Sequence, residues 1–353
     1  MAASLFLQDV LDTPKSLQDS LDAIGESADD LASNLLAHGT RRIVALGNGT
    51  SLYASLSSVY LHNALVGPDG TLAWAVPTGE YGLYPSPLSA RDAIVGVSVS
   101  GEVVDLLDLF ERLRGDHRLI GVTNGPDSTL ARSVDDLILT KASRSLVPTS
   151  TKTFVTSVAA LHLLWLGLLK AQGVEGATPL RRELLGTPEQ IAASLDLALR
   201  QAPDVAERLA PCQRVFVFGS GPSWPLAQEA ALVLKEVANV PAEAAHAREM
   251  AHGITAVVDE TVGIIAVNPP GPGQDMARSV LEQCAALGAV TVEVGEARSG
   301  MTVNVPCHDL LSPLIYGGPL FILANEIAAR RGVNTDHPQW EADYLRATRR
   351  AAK

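Results

Sequence analysis

The sequence predicts an α/β fold of two doubly wound parallel sheets in tandem, each forming an αβα sandwich. Short runs rich in Val, Ile and Leu alternate with amphipathic stretches almost throughout the chain. The runs lack the polar alternation of half-exposed strands, as expected of a parallel sheet that is covered on both faces. The second half also repeats the spacing of the first half. Strands that alternate with helices in this way are typical of parallel sheets with crossover helices.

The first half contains four candidate strands and two clear crossover helices. The candidate strands are residues 42–46, 93–97, 119–123 and 136–140. The amphipathic stretches at 51–64 and 103–114 are long enough to run back across a sheet as helices.

The second half repeats these elements with an offset of 172 residues. A glycine turn begins at Gly47, and another begins at Gly219. The same offset carries the later strands to 265–269, 291–295 and 308–312. We therefore predict two copies of one unit. The chain divides into an N-terminal helical arm (1–33), a first domain (34–173), a helical linker (174–203), a second domain (204–331) and a C-terminal tail (332–353).

Composition and charge exclude several classes of protein. The 353 residues include 27 Lys and Arg against 39 Asp and Glu, which gives a net charge of −12. Nucleic acids and anionic membranes both require basic surfaces, so neither is an expected partner. With 47% hydrophobic and 19% charged residues, the chain is not disordered. Its three cysteines are scattered, which favours neither a disulfide framework nor a zinc site.

Nothing in the sequence predicts export or membrane insertion. Asp9 and Asp12 interrupt any hydrophobic region of a signal peptide. The longest apolar stretch, residues 155–169, includes Ser157 and His162 and is too short to span a membrane. The sequence therefore predicts a soluble, cytoplasmic protein.

Glycine and hydroxyl residues cluster at three predicted strand-to-helix turns. In parallel sheets, backbone N–H groups at such turns bind anions. Each cluster alone is also typical of a helix N-cap, but three at one sheet favour a site for phosphate, with Lys152 as its cation. The candidate binding residues are Gly49, Thr50, Ser51, Ser98, Ser100, Gly101, Ser150, Thr151 and Lys152.

Common cofactor and nucleophile motifs are missing from the sequence. The first strand is not followed by a dinucleotide fingerprint, and there is no nucleotide P-loop. The sequence also lacks a His-Glu-x-x-His pair and a Gly-x-Ser-x-Gly elbow. We expect acid–base chemistry without a metal or another cofactor.

Several longer motifs resemble those of the SIS (sugar isomerase) family. Residues 150–154 read Ser-Thr-Lys-Thr-Phe, residues 228–236 read Gln-Glu-Ala-Ala-Leu-Val-Leu-Lys-Glu, and residues 249–253 read Glu-Met-Ala-His-Gly. Together with the turns at 49–51 and 98–102, they are similar to the tandem form of the family, as in the isomerase half of glucosamine-6-phosphate synthase. The resemblance covers nearly the whole chain. The glutaminase domain of the synthase has no counterpart here, so glutamine-derived ammonia is not expected.

The resemblance implies two catalytic residues. Glu236 corresponds to the base that moves a proton between C1 and C2 of an open-chain sugar, although a helix-surface charge is the alternative interpretation. His252 corresponds to the residue that opens the sugar ring, donated by the neighbouring subunit of a homodimer. A histidine that interacts with a helix C-terminus is the alternative for this position.

Four positions depart from the family pattern at the site. Val99 and Val103 replace a polar amide and a hydroxyl, Ser145 stands in place of a glutamate, and Val233 replaces a lysine. Losing one hydrogen bond to a charged group costs about 1.5–3 kcal/mol, so phosphate should bind less tightly. Lys235 lies roughly 200° around the helix from position 233 and cannot replace the missing lysine.

The tail departs from the family pattern as well. No lysine occupies the position that covers the active site of the synthase, and Arg346 is the candidate substitute. Trp340 either packs against the core or lies on a sugar face, and core packing is the more common role.

The sequence therefore predicts an enzyme that acts on a sugar phosphate or an amino-sugar phosphate. Aldose–ketose isomerisation, deamination and amination by free ammonia share one enediol or enolamine intermediate, and all three stay open. One alternative is an enzyme for a less phosphorylated sugar in a specialised biosynthetic pathway. Another is a sugar-phosphate sensor without catalysis.

Overall fold

Residues 3–297, 300–338, 340–341 and 347–348 are described by a computed structural model of the chain. Two five-stranded sheets with flanking helices occur among these residues, and every strand pair in both sheets is parallel. The fold is the predicted pair of doubly wound αβα sandwiches. Arg346, the candidate substitute for the missing lysine of the tail, lies outside the described residues.

The first sheet and its helices follow two N-terminal helices. The strands are β1 (Arg42–Gly47), β2 (Leu72–Pro77), β3 (Ala93–Val97), β4 (Arg118–Thr123) and β5 (Asp136–Leu139). The helices are α1 (Leu5–Leu11), α2 (Thr13–Ala37), α3 (Thr50–Leu65), α4 (Thr78–Leu83), α5 (Val104–Leu113) and α6 (Lys152–Ala171).

The second sheet follows two connecting helices. Its strands are β6 (Arg214–Gly219), β7 (Ala242–His246), β8 (Val262–Asn268), β9 (Val290–Gly295) and β10 (Gly300–Thr302). The helices are α7 (Ala177–Leu185), α8 (Thr187–Leu209), α9 (Ser223–Ala238), α10 (Ala247–Ala251), α11 (Gln274–Ala286) and α12 (Ser312–Arg330). Short 3₁₀ helices cover Ile254–Val257 and Asp309–Leu311.

The two sheets have the same strand order. The first runs β2-β1-β3-β4-β5 and the second runs β10-β9-β8-β6-β7, so β6 corresponds to β1 and β8 corresponds to β3. The chain reverses its direction of winding between β1 and β3, and again between β6 and β8. Ligands of doubly wound sheets bind beyond the carboxyl ends of the strands at such a switch point.

Glycine ends the first strand of each sheet because the following helix begins against it. A Cβ atom on Gly47 would lie 2.6 Å from the backbone carbon of Ser51, and one on Gly219 would lie 2.5 Å from the carbonyl oxygen of Ser223. Any side chain at either position would push the start of the helix away from the strand. The equivalent glycines therefore set the same tight turn in both copies.

The 172-residue repeat is confirmed for most elements and is wrong for one. The offset carries β1 onto β6 and β4 onto β9. The predicted strand at 308–312 is instead a 3₁₀ turn that leads into α12, and β10 is the fifth strand. His308 caps this turn, since its Nδ1 accepts the Leu310 N–H at 3.2 Å. Pro306 and Pro313 flank the segment, and neither can donate to a strand ladder.

The described residues form two compact units that exchange short segments. The sheet-1 unit takes its residues from Lys15–Arg144, Lys152–Leu185 and Trp340–Lys353. The sheet-2 unit takes its residues from Met1–Pro14, Ser145–Thr151 and Gly186–Gln339. The continuous domain boundaries at 34–173 and 204–331 stay a prediction.

Two helices combine length with an apolar composition. Lys152–Ala171 and Asp309–Arg330 reach the length and hydropathy of a membrane-spanning helix. Their most apolar windows are 89% and 94% buried inside the protein, which is the usual environment of a core helix.

Candidate active site

Glu236 of the sheet-2 unit lies on α9 and is half-buried. Burial raises the pKa of its carboxyl group from 4.5 to about 7, because a partly dehydrated site disfavours the charged form. The Thr149 side chain and the positive charge of Lys235 act in the opposite direction but only partly offset the burial. The carboxyl group can therefore hold and release a proton near neutral pH.

Thr149 reaches Glu236 from the segment Ser145–Thr151, which belongs to the same compact unit. The Asp9 carboxylate of α1 holds the start of this segment. Its Oδ2 accepts the N–H groups of Leu146 at 2.7 Å and Val147 at 3.3 Å. Asp9 is itself fully buried. A carboxylate near the N-terminus thus positions the loop that contacts the candidate base.

Ser150 and Thr151 follow Thr149 on this segment. Thr151 is buried and Ser150 is half-buried. The hydroxyl cluster predicted from the sequence contains Thr149, Ser150 and Thr151, but it does not predict the contact of Thr149 with Glu236 or the role of Asp9. Neither role has a local sequence signal, because both depend on contacts across more than 80 residues of chain.

His252 lies at the C-terminal end of α10 and its side chain is exposed. Its N–H donates to the Glu249 carbonyl at 3.0 Å, which closes the helix. The position fits the helix-terminus interpretation, and the exposed imidazole is also accessible to another molecule. The ring-opening role of His252 stays a prediction.

Position 233 faces the interior of the protein. The Val233 side chain is 1% exposed, whereas Lys235 is exposed. The two positions therefore differ in environment, as expected from their angular separation on one helix.

The first glycine turn of the sheet-1 unit joins β1 to α3. Gly49 has φ 52° and stands at the N-cap position of α3, where it provides no capping side chain. The turn is closed by the Ser51 N–H, which donates to the Asn48 carbonyl at 3.2 Å. Asn48 Oδ1 also accepts the Thr78 N–H at 3.2 Å. Thr50 and Ser51 form the first turn of α3, at the carboxyl end of β1.

The second turn, after β3, is held by its own serines. Ser98 Oγ accepts the Gly101 N–H at 3.1 Å, and Ser100 Oγ accepts the Glu102 N–H at 3.3 Å. Gly101 has φ +67°, and a Cβ there would lie 2.2 Å from Ser128 Oγ. Both serine oxygens act as acceptors, so each hydroxyl hydrogen can donate to a ligand.

Glu102 completes this loop as a structural residue. Its two carboxylate oxygens accept the Thr129 N–H at 2.7 Å and the Thr129 hydroxyl at 2.8 Å. These bonds tie the loop to the segment after β4. The next residue, Val103, is the N-cap of α5 and makes no side-chain capping bond.

Lys152 begins α6 and is 2% exposed. Its Nζ donates to the Arg144 carbonyl at 3.1 Å, within the sheet-1 unit. The sequence predicts that Lys152 binds the phosphate group of a ligand, and this role stays a prediction.

Trp340 is half-buried in a turn, where its role stays open. In the part of the chain that the structure describes, no three His, Cys, Asp or Glu residues are placed to hold a metal ion.

Comparison with known proteins identifies the class to which this fold belongs. The SIS domain family matches residues 208–294, which include β6 to β8 and most of β9. The resemblance inferred from the motifs is thereby confirmed over this segment of the chain.

Similar proteins include glutamine–fructose-6-phosphate aminotransferases (isomerizing). The enzyme of Gloeobacter violaceus is 34% identical over 351 residues, which cover 94% of this chain and 57% of the relative. The enzyme of Pyrobaculum aerophilum is 30% identical over 342 residues, which cover 94% of this chain and 56% of the relative. The chain thus spans little more than half the length of these relatives.

Solved structures share the fold across nearly the whole chain. The C-terminal domain of glucosamine-fructose-6-phosphate aminotransferase from Francisella tularensis has a TM-score of 0.87 at 23% identity, covering 96% of this chain and 99% of that one. Glucosamine-6-phosphate deaminase from Thermotoga maritima has a TM-score of 0.76 at 21% identity, covering 95% and 98%.

Proposed function

We propose that this chain is an enzyme that moves a proton between adjacent carbons of a sugar phosphate or an amino-sugar phosphate. The single observation that carries the proposal is the half-buried carboxyl group of Glu236, whose pKa is raised to about 7. As a carboxylate it takes the C2 proton of an open-chain aldose, which leaves an enediol or enolamine, and it then returns the proton to C1. A group with a pKa near the working pH serves both steps.

We infer that the turns of the sheet-1 unit bind the phosphate of the substrate. Ser98 and Ser100 keep hydroxyl hydrogens that can donate to phosphate oxygens. Gly49, Thr50 and Ser51 stand at the start of α3, where the helix dipole favours an anion. Buried Lys152 supplies the cation in this assignment.

Fructose 6-phosphate and glucosamine 6-phosphate appear in the names of the relatives and of the deaminase described above. We propose that this chain acts on the same class of substrate. We further propose that the protein works in the cytoplasm as a homodimer and that no cofactor takes part.

The proposal is tested with Glu236→Gln, assayed with fructose 6-phosphate, glucose 6-phosphate and glucosamine 6-phosphate. Removal of a general base should lower turnover by about 10²–10⁴-fold and abolish exchange of the C2 hydrogen with deuterated water. The matched control is Glu243→Gln, which changes an exposed carboxyl group of the same unit. Unchanged turnover in Glu236→Gln would contradict the proposed base.

A less phosphorylated substrate is a second candidate, favoured by the missing capping hydroxyl at Val103. Thermal-shift assays with phosphorylated and unphosphorylated sugars separate the two, because stabilisation rises with ligand concentration relative to Kd. Binding of a sugar phosphate without any C2 hydrogen exchange would instead indicate a sensor.

A further inference from the structure

The sheet-2 unit contains a cavity that the proposed function does not use. The cavity has a volume of about 310 Å³. It is lined by residues 220–223 after β6 and by residues 267–274 at the end of β8. These strands are neighbours, and the winding of the sheet reverses between them. The cavity therefore occupies the position at which doubly wound sheets bind ligands.

Three helices begin at this cavity. Their first residues, Ser223 of α9, Gln274 of α11 and Ser312 of α12, all line it. The helices have 16, 13 and 19 residues, and none has a side-chain N-cap hydrogen bond. The N-terminal end of each helix carries a partial positive charge. The cavity is thus a favourable environment for an anion.

Buried hydroxyl groups provide a second, independent observation. Ser223 is 1% exposed and Ser312 is 0% exposed. Within the described residues, Oγ of Ser220, Ser223 and Ser312 has no hydrogen-bond partner. A buried hydroxyl without a partner is destabilising and rare in native proteins. Three such groups around one cavity indicate hydroxyl donors for an acceptor atom of a ligand.

Two further side chains determine which kind of ligand fits the cavity. His246 Nδ1 accepts the Arg248 N–H at 3.4 Å, which leaves the Nε2–H of the ring to donate to a ligand. Asp309 lines another wall, and its Oδ1 contacts the Leu310 N–H at 2.9 Å and His308 Nδ1 at 2.8 Å. No Lys or Arg occurs among the lining residues that the structure describes. The cavity combines donors for an anion with one carboxylate that can accept hydroxyl groups.

We propose that this cavity is a second ligand site, which binds a phosphate monoester of a hydroxylated molecule. The phosphate lies against the serine hydroxyls and the starts of α9 and α12, and Asp309 accepts hydroxyl groups of the ligand body. Glu236 does not line this cavity, and ligand binding there does not require catalysis by the enzyme. The site lies at the switch point of the second sheet. The turns that we propose bind the substrate phosphate lie at the switch point of the first sheet.

The test is the double variant Ser223→Ala/Ser312→Ala, with binding of inorganic phosphate and of glucose 6-phosphate measured by equilibrium dialysis. The variant should bind one equivalent fewer of each than the wild type, or bind it with a Kd raised about tenfold or more. Because the missing equivalent is counted directly, the result does not depend on whether the enzyme turns over a sugar phosphate.

Ser279→Ala is the matched control, since it removes an exposed serine of α11 in the same unit. Without ligand, the double variant should melt no lower than the wild type, because it removes hydroxyls that have no partner. If the double variant does not fold, the single variant Ser223→Ala carries the test. Equal stoichiometry and equal Kd in variant and wild type would overturn the proposal, and so would the absence of phosphate from this cavity in crystals soaked with glucose 6-phosphate.

Discussion

At the scale of single residues, the chemistry depends on how much water each carboxyl group loses. Glu236 and Glu102 both occur in motifs that resemble those of the SIS family, yet their surroundings differ. Both oxygens of Glu102 accept strong hydrogen bonds from Thr129, which commits this side chain to the loop. Glu236 is dehydrated with little compensation, and its pKa rises to about 7. The raised pKa makes Glu236 a candidate base at neutral pH.

The raised pKa of Glu236 predicts a specific effect of pH on stability. The folded state binds this proton more tightly than the unfolded state, where the pKa is 4.5. The stabilisation from the neutral carboxyl is complete below pH 4.5 and is lost as the pH rises through about 7. Glu236→Gln should therefore be more stable than the wild type at pH 8 by about 1–3 kcal/mol, after allowance for partial exposure.

Urea unfolding of both proteins between pH 4.5 and 8 measures this difference. Near pH 4.5 the two proteins should have nearly equal stability, because the protonated carboxyl and the amide have similar shape and charge. The Glu243→Gln control should follow the wild type at every pH. Parallel curves for Glu236→Gln and the wild type would show that the carboxyl group ionises as it does in water.

At the scale of helices and strands, the turns were predictable because each has a local chemical cause. Glycine, serine and threonine mark the ends of β1 and β3, and the structure places α3 and α5 directly after them. Edge strands were not predictable in the same way. Residues 242–246 read Ala-Glu-Ala-Ala-His, a composition that favours helix, yet they form β7 by pairing with β6. The ladder to a central strand overrides the local preference.

The start of α5 gives a prediction at this scale. Val103 is the N-cap and has no hydroxyl to accept an N–H of the first helical turn. Val103→Thr should raise the free energy of unfolding by about 0.5–2 kcal/mol. If the loop after β3 binds phosphate, the added hydroxyl should also lower the Kd for fructose 6-phosphate by about tenfold.

Chemical denaturation and titration calorimetry of Val103→Thr test the two effects separately. Val103→Ala is the control, since it changes the side chain without adding a donor. Greater stability with an unchanged Kd for fructose 6-phosphate would place the phosphate away from α5. Such a result would also favour a substrate that carries less phosphate.

At the scale of the whole molecule, the repeat explains why the fold was predictable and the site only in part. One offset carries β1 onto β6 and β4 onto β9, because both copies need the same sheet. The offset fails after β9, where residues 308–312 form a 3₁₀ turn that leads into α12. The contact of Asp9 with residues 146 and 147 is also invisible to any periodic pattern. Long-range contacts of this kind place Thr149 beside Glu236, and no local motif encodes them.

The proposed homodimer leads to a prediction that joins two residues of different chains. If His252 acts on the neighbouring subunit, a chain with Glu236→Gln and a chain with His252→Ala are each inactive alone. In a mixed dimer, one of the two sites then receives an intact glutamate from one chain and an intact histidine from the other. Random mixing should restore about one quarter of the wild-type activity, because half of the dimers are mixed and each has one complete site.

The measurement is turnover of glucosamine 6-phosphate after the two variants are co-expressed with different affinity tags and purified through both. Selection for both tags removes the pure dimers, so recovery should then approach about one half of the wild-type rate. Dimers that combine two differently tagged Glu236→Gln chains are the control and should stay inactive. Verified mixed dimers without activity would mean that the Glu236 and His252 of one site must belong to the same chain, which would contradict a site shared between subunits.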